Sequence, residues 1–225
     1  MKQDEHILYL ISQYKNPTFI DENGLGSIFG EHTACAVQLN GYFDSRVNDS
    51  KKIKHEKIYQ IAKKAIKNIQ YGFGIVSPKE LNKIKNMHKA NKLAMIRAVE
   101  ALPIKPDALF IDGKFNLPES NIENYSIIKG DTKVFGIALA SIIGKYLRDK
   151  LIREKYLQNN EKYDIFNNVG YRSPRHLIGI RIFGLTKFHR IWMNQIKRVI
   201  NGSYDTIIMK RYFHIWKELY QTNKI

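Results

Sequence analysis

Phe19-Ile20-Asp21-Glu22-Asn23-Gly24-Leu25-Gly26 is an apolar stretch that ends in two adjacent carboxylates and turns on glycines. Two later apolar runs end in the same way. One is Ala108-Leu109-Phe110-Ile111-Asp112-Gly113, and the other is Tyr125-Ser126-Ile127-Ile128-Lys129-Gly130-Asp131. Short apolar runs punctuated by glycine read as buried strands, so each acid is expected at the carboxyl end of a strand. In open α/β sheets functional groups gather at those ends, so separate segments could bring Asp21, Asp112 and Asp131 together. Glu22 points away from Asp21 on a pleated strand, but the strand is expected to stop there and the turn to redirect it.

Around these segments the pattern alternates. Residues 7–15 suit a short helix, and 17–21 and 33–39 suit strands. His55 to Asn68 carries Ile58, Ile61, Ala62, Ala65 and Ile66 at helical spacing, with lysines opposite. Tyr71–Val76 reads as a strand. Ser77-Pro78 is a helix start, and that helix is expected to run to about Leu102. Ala108–Ile111 and Tyr125–Ile128 read as strands. Asp131 is expected to open a long helix, Gly170 to Gly184 a turn and helix, and the last 25 residues one amphipathic helix with Tyr212, Phe213, Trp216 and Tyr220. Strands first, then alternating helix and strand, predict an α/β fold with a mixed sheet. Two regions are expected: a core over 1–155 and a C-terminal helical region over 156–225 packed on it.

Thirty-seven Lys+Arg oppose 21 Asp+Glu, for a net charge of +16 in 225 residues. Such an excess points to nucleic acid before an anionic membrane, because the basic residues are spread along the chain and not along one helix face. No apolar run is long enough to span a bilayer. Met1-Lys2-Gln3-Asp4-Glu5-His6 lacks the plan of a signal peptide, so a reducing cytoplasmic setting is expected. The single cysteine, Cys35, lies in Thr33-Ala34-Cys35-Ala36-Val37 and is expected to be a small core residue.

Four oxygen donors, Asp21, Glu22, Asp112 and Asp131, in so basic a chain suit two hard divalent cations, Mg²⁺ or Mn²⁺, roughly 3.5–4 Å apart, held against a polyanion. Histidine and cysteine are absent from these segments, which disfavours zinc. Each acid also has an ordinary structural reading. Asp112-Gly113 is a turn signal, Asp131 suits a helix N-cap, and Asp21-Glu22 could be solvated loop charges. Asp149, beside Arg148 in mid-helix, is expected to be a surface charge pair.

Several blocks, taken in order and spacing, resemble ribonuclease HII. They are Ile20-Asp21-Glu22-Asn23-Gly24-Leu25-Gly26, Asn48-Asp49-Ser50-Lys51-Lys52, Ser77-Pro78, Asn86, and Lys92-Leu93-Ala94-Met95 with Arg97-Ala98-Val99. They continue with Phe110-Ile111-Asp112-Gly113, Ile128-Lys129-Gly130-Asp131, Ala140-Ser141-Ile142-Ile143 with Lys145, Arg148-Asp149, Gly170-Tyr171 with Ser173, His176 and His189-Arg190. The resemblance covers about residues 16–190. It implies a ribonuclease H-like mixed five-stranded sheet flanked by helices, with a C-terminal helical region. It implies a hydrolase of replication and repair that cuts the RNA strand of RNA–DNA hybrids and ribonucleotides embedded in duplex DNA. Cleavage would fall 5′ to a ribonucleotide, leaving 3′-hydroxyl and 5′-phosphate. Asp21, Glu22, Asp112 and Asp131 would be the catalytic metal ligands. The Gly24-Leu25-Gly26 turn would read the 2′-hydroxyl through its backbone, and Tyr171 would pack near the ribose.

The chain departs from the family pattern at four places. Leu25 stands where the family has arginine, Asn23 where it has a small apolar residue, Gly144 where it has alanine, and Val169 where a polar residue often precedes Gly-Tyr. Gly24-x-Gly26-x-x-Phe29-Gly30 also resembles ribonuclease HIII, whose N-terminal platform domain is not expected here, with about 16 residues before the first strand. Specificity for a single ribonucleotide therefore stays open, as do a ribonuclease HIII-like enzyme and an inactive nucleic-acid-binding relative. Among basic and polar residues, Lys51, with Lys52 and Lys54 beside it, and Asn86 are expected phosphate or nucleic-acid contacts. His176 and His189 are expected structural hydrogen-bonders. The aromatic tail is expected to pack; docking to a sliding clamp is the weaker alternative, since no glutamine-led motif is visible. A monomer is expected.

Overall fold

The computed structural model describes residues 5–47, 55–204 and 210–222. In chain order the elements are α1 (Glu5–Ser12), β1 (Pro17–Asn23), β2 (His32–Gln38), α2 (His55–Ala65), β3 (Gln70–Val76), α3 (Pro78–Ile84), α4 (Met87–Glu100), β4 (Ala108–Asp112) and β5 (Glu123–Ile127). They continue with α5 (Gly130–Lys133), α6 (Phe135–Lys155), α7 (Asn160–Tyr163), α8 (Ile165–Asn168), α9 (Pro174–Phe183), α10 (Asn194–Ile200) and α11 (Phe213–Thr222). No helix among the described residues is long and apolar enough to cross a membrane.

The chain forms two compact units. The first holds residues up to Asn23, His32–Val76 and His88–Arg148, and the second holds Gly24–Glu31, Ser77–Met87 and Asp149 onward. The first contains the whole sheet, in the order β3-β2-β1-β4-β5. β1, β2 and β3 pair antiparallel, and β4 and β5 add to β1 in parallel, so the expected mixed sheet of five strands is present. Phe19, Phe110 and Tyr125 sit opposite one another on three neighbouring strands, with ring centroids 5.6 and 5.2 Å apart. Cross-strand aromatic pairs of this kind fix register, because a one-residue slip would send each ring to the other face.

Helix α6 lies along β1 because small residues let it. A Cβ on Gly136 would fall 2.2 Å from the Phe19 ring, and one on Gly144 would fall 1.9 Å from Asn23 Oδ1. Phe19, Asp21 and Asn23 share one face of the strand by its period of two. Asn23 Nδ2 also donates to the Ser141 carbonyl at 3.4 Å. The two departures Asn23 and Gly144 are thus partners: the larger side chain occupies the volume that an alanine at 144 would need. On β3, Gly72 and Gly74 play the same part towards α4, where an added Cβ would fall 1.9 Å from the carbonyls of Ala98 and Ala94.

The second unit is helical. Its core gathers Phe29, Ile152, Tyr156, Tyr163, Ile165 and Ile196 among others. The predicted helix from Ser77 to Leu102 is two helices. Ser77 caps α3, as the Ser-Pro pair predicted, and Glu80 completes a reciprocal box, but Lys85 turns left-handed at φ 50° and ends the helix. The helix predicted from Asp131 is likewise interrupted, because Val134 is extended between α5 and α6. Asp149 is 1% exposed, which overturns the surface reading.

Replacing Gly144 with alanine should gain about 1 kcal/mol of helix propensity yet lose more through overpacking against Asn23, for a net loss of roughly 1–2 kcal/mol. Adding Asn23→Ala should restore most of that loss in urea unfolding. Equal losses from Gly144→Ala with and without Asn23 would show that the two side chains do not compete for this space.

Candidate functional site

The parallel register of β1 and β4 ends at Ile20 opposite Ile111, so Asp21 and Asp112 follow side by side at the same end of the sheet. β1 runs on through Asn23, two residues beyond the expected end, and Glu22 still reaches its neighbours. Carboxylate oxygens of Asp21, Glu22 and Asp112 all lie within 4.8 Å of one another. The Glu22 amide donates to Asp21 Oδ1 at 2.8 Å. Asp112 Oδ1 accepts from the Gly130 amide at 2.6 Å and, more loosely, from the Asp131 amide at 3.4 Å. Gly130 allows this approach, since a Cβ there would meet Ile137 at 2.6 Å and Asp112 Oδ1 at 3.2 Å. Lys129, left-handed at φ 57°, turns the chain into α5. Asp131 is buried within α5, is not its N-cap, and stands outside the 4.8 Å group.

The electrostatics of this group are unfavourable without a cation. Burial pushes the Asp21 carboxyl well above the usual range, and the charges of Glu22 and Asp112 push it further. Hydrogen bonds from the Ser141 side chain and the Glu22 amide offset part of this. Glu22 is raised too, first by burial, then by Asp112, with a smaller push from Asp131. Glu22 Oε2 is buried and finds no hydrogen-bond partner among the described residues. Three converging carboxylates, one with an unmatched buried oxygen, fit a hard divalent cation: its charge would offset their repulsion and its coordination would satisfy the orphaned oxygen. Burial also raises the Cys35 thiol far out of reach of ionisation, so Cys35 is the inert core residue expected.

The second unit carries the glycine segment. Gly24 is left-handed at φ 91°, and a Cβ on Gly26 would meet nothing within 4 Å. Leu25 is 43% exposed. The ends of this segment are held by Arg190, which is fully buried. Its guanidinium donates to the carbonyls of Gly24 at 2.7 Å, Gly30 at 3.1 Å and Glu31 at 2.8 Å. The middle is held by Gly170, whose carbonyl accepts the amides of Ile28 and Phe29 at 3.0 and 3.2 Å and the Ser27 hydroxyl at 2.8 Å. Gly170 is required there, because a Cβ would fall 2.4 Å from the Phe29 carbonyl. Tyr171 follows and is 38% exposed. Val169 is left-handed at φ 44°, unusual for a β-branched residue, and its side chain is buried in the helical core. Asn86 is exposed after the left-handed Lys85. Lys51, Lys52 and Lys54 lie outside the described residues.

Three contributors were not read from the sequence: the Ser141 hydroxyl on Asp21, the Gly130 amide on Asp112, and the three-carbonyl clasp of Arg190. Ser141 left a signal, as a polar residue in the apolar run Gly136–Gly144. The other two use backbone atoms, which no residue identity announces.

Residues 19–200 match the family model described as Ribonuclease HII. Ribonuclease HII of Macrococcus caseolyticus is 42% identical over 182 residues, covering 80% of this chain and 67% of that one. Among solved structures, ribonuclease H2 of Pyrococcus horikoshii superposes with a TM-score of 0.68 at 21% identity, covering 83% of this chain and 97% of that one. Bst-RNase HIII in complex with Mn²⁺ gives a TM-score of 0.62 at 18% identity, over 84% and 70%.

The raised carboxyls set a pH dependence for the metal-free protein. A carboxyl with a raised folded pKa favours folding while protonated; that advantage is full below about pH 4 and is lost as pH rises through the folded values. Asp112→Asn removes a charge that raises both Asp21 and Glu22, and its retained oxygen can still accept from Gly130. In chelator at pH 7 this variant should therefore be more stable than the parent by about 1 kcal/mol, with the gap closing towards pH 4. Thermal unfolding across that range checks it; a variant less stable at every pH would mean the carboxylates do not repel as described.

Proposed function

We propose, from the premise that this chain belongs to the ribonuclease HII family, that it cuts the RNA strand of RNA–DNA hybrids and duplex DNA at embedded ribonucleotides. Membership makes it a metal-dependent ribonuclease. The observation that carries the finer reading is the convergence of Asp21, Glu22 and Asp112 in a chain of charge +16. These three and the buried Asp131 would hold the cations, two Mg²⁺ or Mn²⁺. The structural likeness to Bst-RNase HIII, solved with Mn²⁺, supports that choice. When bound, the ions would supply an activated water and a stabilised leaving oxygen for in-line displacement at phosphorus, giving 3′-hydroxyl and 5′-phosphate.

The protein's own residues do the rest. Asp112 is oriented by the Gly130 amide and Asp21 by the Glu22 amide, so two ligands are fixed by backbone donors. The Gly24-Leu25-Gly26 turn would contact the 2′-hydroxyl through its main chain, the one group that marks a ribonucleotide in DNA. Tyr171, half-exposed, would pack on the ribose, while Lys51 and Asn86 would meet phosphate. In this reading residues 1–155 carry the catalytic acids and 156–225 supply Tyr171. A second reading is a ribonuclease HIII-like preference for hybrids. It is favoured by Leu25, whose aliphatic side chain gives no phosphate contact where the family has arginine.

A labelled DNA duplex with one ribonucleotide, tested beside an RNA–DNA hybrid in Mg²⁺, Mn²⁺ and chelator, separates these readings. Metal-dependent nicking 5′ to the ribonucleotide is expected. Cleavage of the hybrid alone would favour the second reading, and binding without cleavage of either would reject both. Asp112→Asn should bind hybrid and fail to cut it; retained cleavage would remove Asp112 from the metal set. Substrate affinity should fall by roughly 10³–10⁵ between 50 and 200 mM salt if six to ten phosphates are contacted. An affinity independent of salt would contradict that count.

A further inference from the structure

We propose that His176 and His189 form a neutral two-imidazole relay that fixes the Tyr171 main chain, which makes both histidines positioning residues for the ribonucleotide contact. The positioning role rests on the reading of Tyr171 given above; the relay itself does not. His189 Nδ1 receives the Thr186 amide at 2.9 Å. An amide N–H only donates, so Nδ1 bears no proton and the neutral ring carries its hydrogen on Nε2. That nitrogen stands 3.3 Å from His176 Nε2. His176 Nε2 is therefore the acceptor, and its ring hydrogen lies on Nδ1, 2.9 Å from the Tyr171 carbonyl. A carbonyl only accepts, so the far end of the chain independently requires the same tautomer. The order is Thr186 N–H to His189, His189 to His176, and His176 to Tyr171, with every proton placed once.

The surroundings keep the pair uncharged. Both histidines are fully buried. Phe29 packs edge-on against both rings, at 5.9 and 5.0 Å, and Tyr163 lies 5.9 and 5.0 Å from them. The Tyr163 hydroxyl is engaged with the Gly184 carbonyl, and the neighbouring arginines are turned elsewhere, Arg175 to Glu218 and Arg190 to main-chain carbonyls. Burial lowers His176 to about 4 and His189 to about 3, the latter also through His176. Phe29 belongs to the glycine segment, and its amide is taken by Gly170, the residue before Tyr171. The relay thus braces both elements to which ribonucleotide contact is assigned: Tyr171 by a hydrogen bond and the glycine segment by the Phe29 ring. A second proton on either ring would set N–H against N–H and break the relay.

Two measurements on the intact protein test this. Imidazole ¹⁵N–¹H spectra should show His189 protonated at Nε2 and His176 at Nδ1 at neutral pH; the opposite tautomer at either ring, or an imidazolium, overturns the relay. Kinetics on the single-ribonucleotide duplex test the positioning. His176→Phe keeps a ring but removes the donor, and should raise KM about 5- to 10-fold, the worth of one hydrogen bond, with a smaller change in kcat. His176→Asn, whose amide can stand in for Nδ1–H, should stay within about two-fold of the parent. In a Tyr171→Ala background, His176→Phe should add little further loss. Independent, multiplicative losses would overturn the positioning role. Wild-type kinetics for Tyr171→Ala alone would reject the Tyr171 reading, and the spectra would still decide the relay.

Discussion

Helix α6 rests directly on strand β1, and the acidic centre depends on that contact. Gly136 admits the Phe19 ring, the Ser141 hydroxyl bonds Asp21, and Gly144 leaves room for Asn23. These contacts follow the strand's period of two, with Gly136 and Gly144 two i+4 steps apart on the helix and Ser141 three residues before Gly144, so one face of β1 is matched along its length. Asp21 can be almost fully buried only because this interface supplies a donor and excludes slack. The aromatic row Phe19, Phe110 and Tyr125 then locks β4 and β5 in the register that sets Asp112 beside Asp21.

The two units settle buried charge in opposite ways. In the first, carboxylates crowd one another, and a bound cation would offset their mutual repulsion. Helix α5 contributes the amides of Gly130 and Asp131, which orient Asp112, and the charge of Asp131, which adds to the repulsion on Glu22. In the second unit the buried Arg190 is satisfied by three carbonyls of one short segment. A guanidinium presents several donors in a fixed plane, so one side chain can define a loop's shape where separate amides would have to be recruited one by one. Clustered acids suit a cation that can come and go, whereas a fully bonded arginine suits permanent architecture.

Much of this was legible in the chain. The five strands followed from short apolar runs, three of them ended by glycine and acid, and the Ser77 cap from its Ser-Pro pair, because those signals are local. The misread positions were those where a local signal lost to packing. Ser77 to Leu102 scans as one helix, yet Lys85 turns left-handed and divides it. Asp131 resembles an N-cap, yet the cap position is Lys129, whose left-handed backbone bends the chain towards Asp112. Asp149 beside Arg148 resembles a solvated pair, yet it is buried on α6. The departures Asn23 and Gly144 looked like unrelated changes until their contact showed one volume shared between them.

The sequence by itself determined the strand ends that carry acids, the basic excess and the family blocks, since each rests on residue type and short spacing. Only the tertiary structure decided that Asp21, Glu22 and Asp112 share one small volume that does not include Asp131. It also decided that Gly170 and Arg190 clasp the glycine segment, and that two histidines 13 residues apart face each other through their Nε2 atoms. Those outcomes depend on strand register, on the close approach that glycines permit and on backbone donors and acceptors. Every residue carries such backbone groups alike, so their partners are chosen by the fold and not by the letters of the chain.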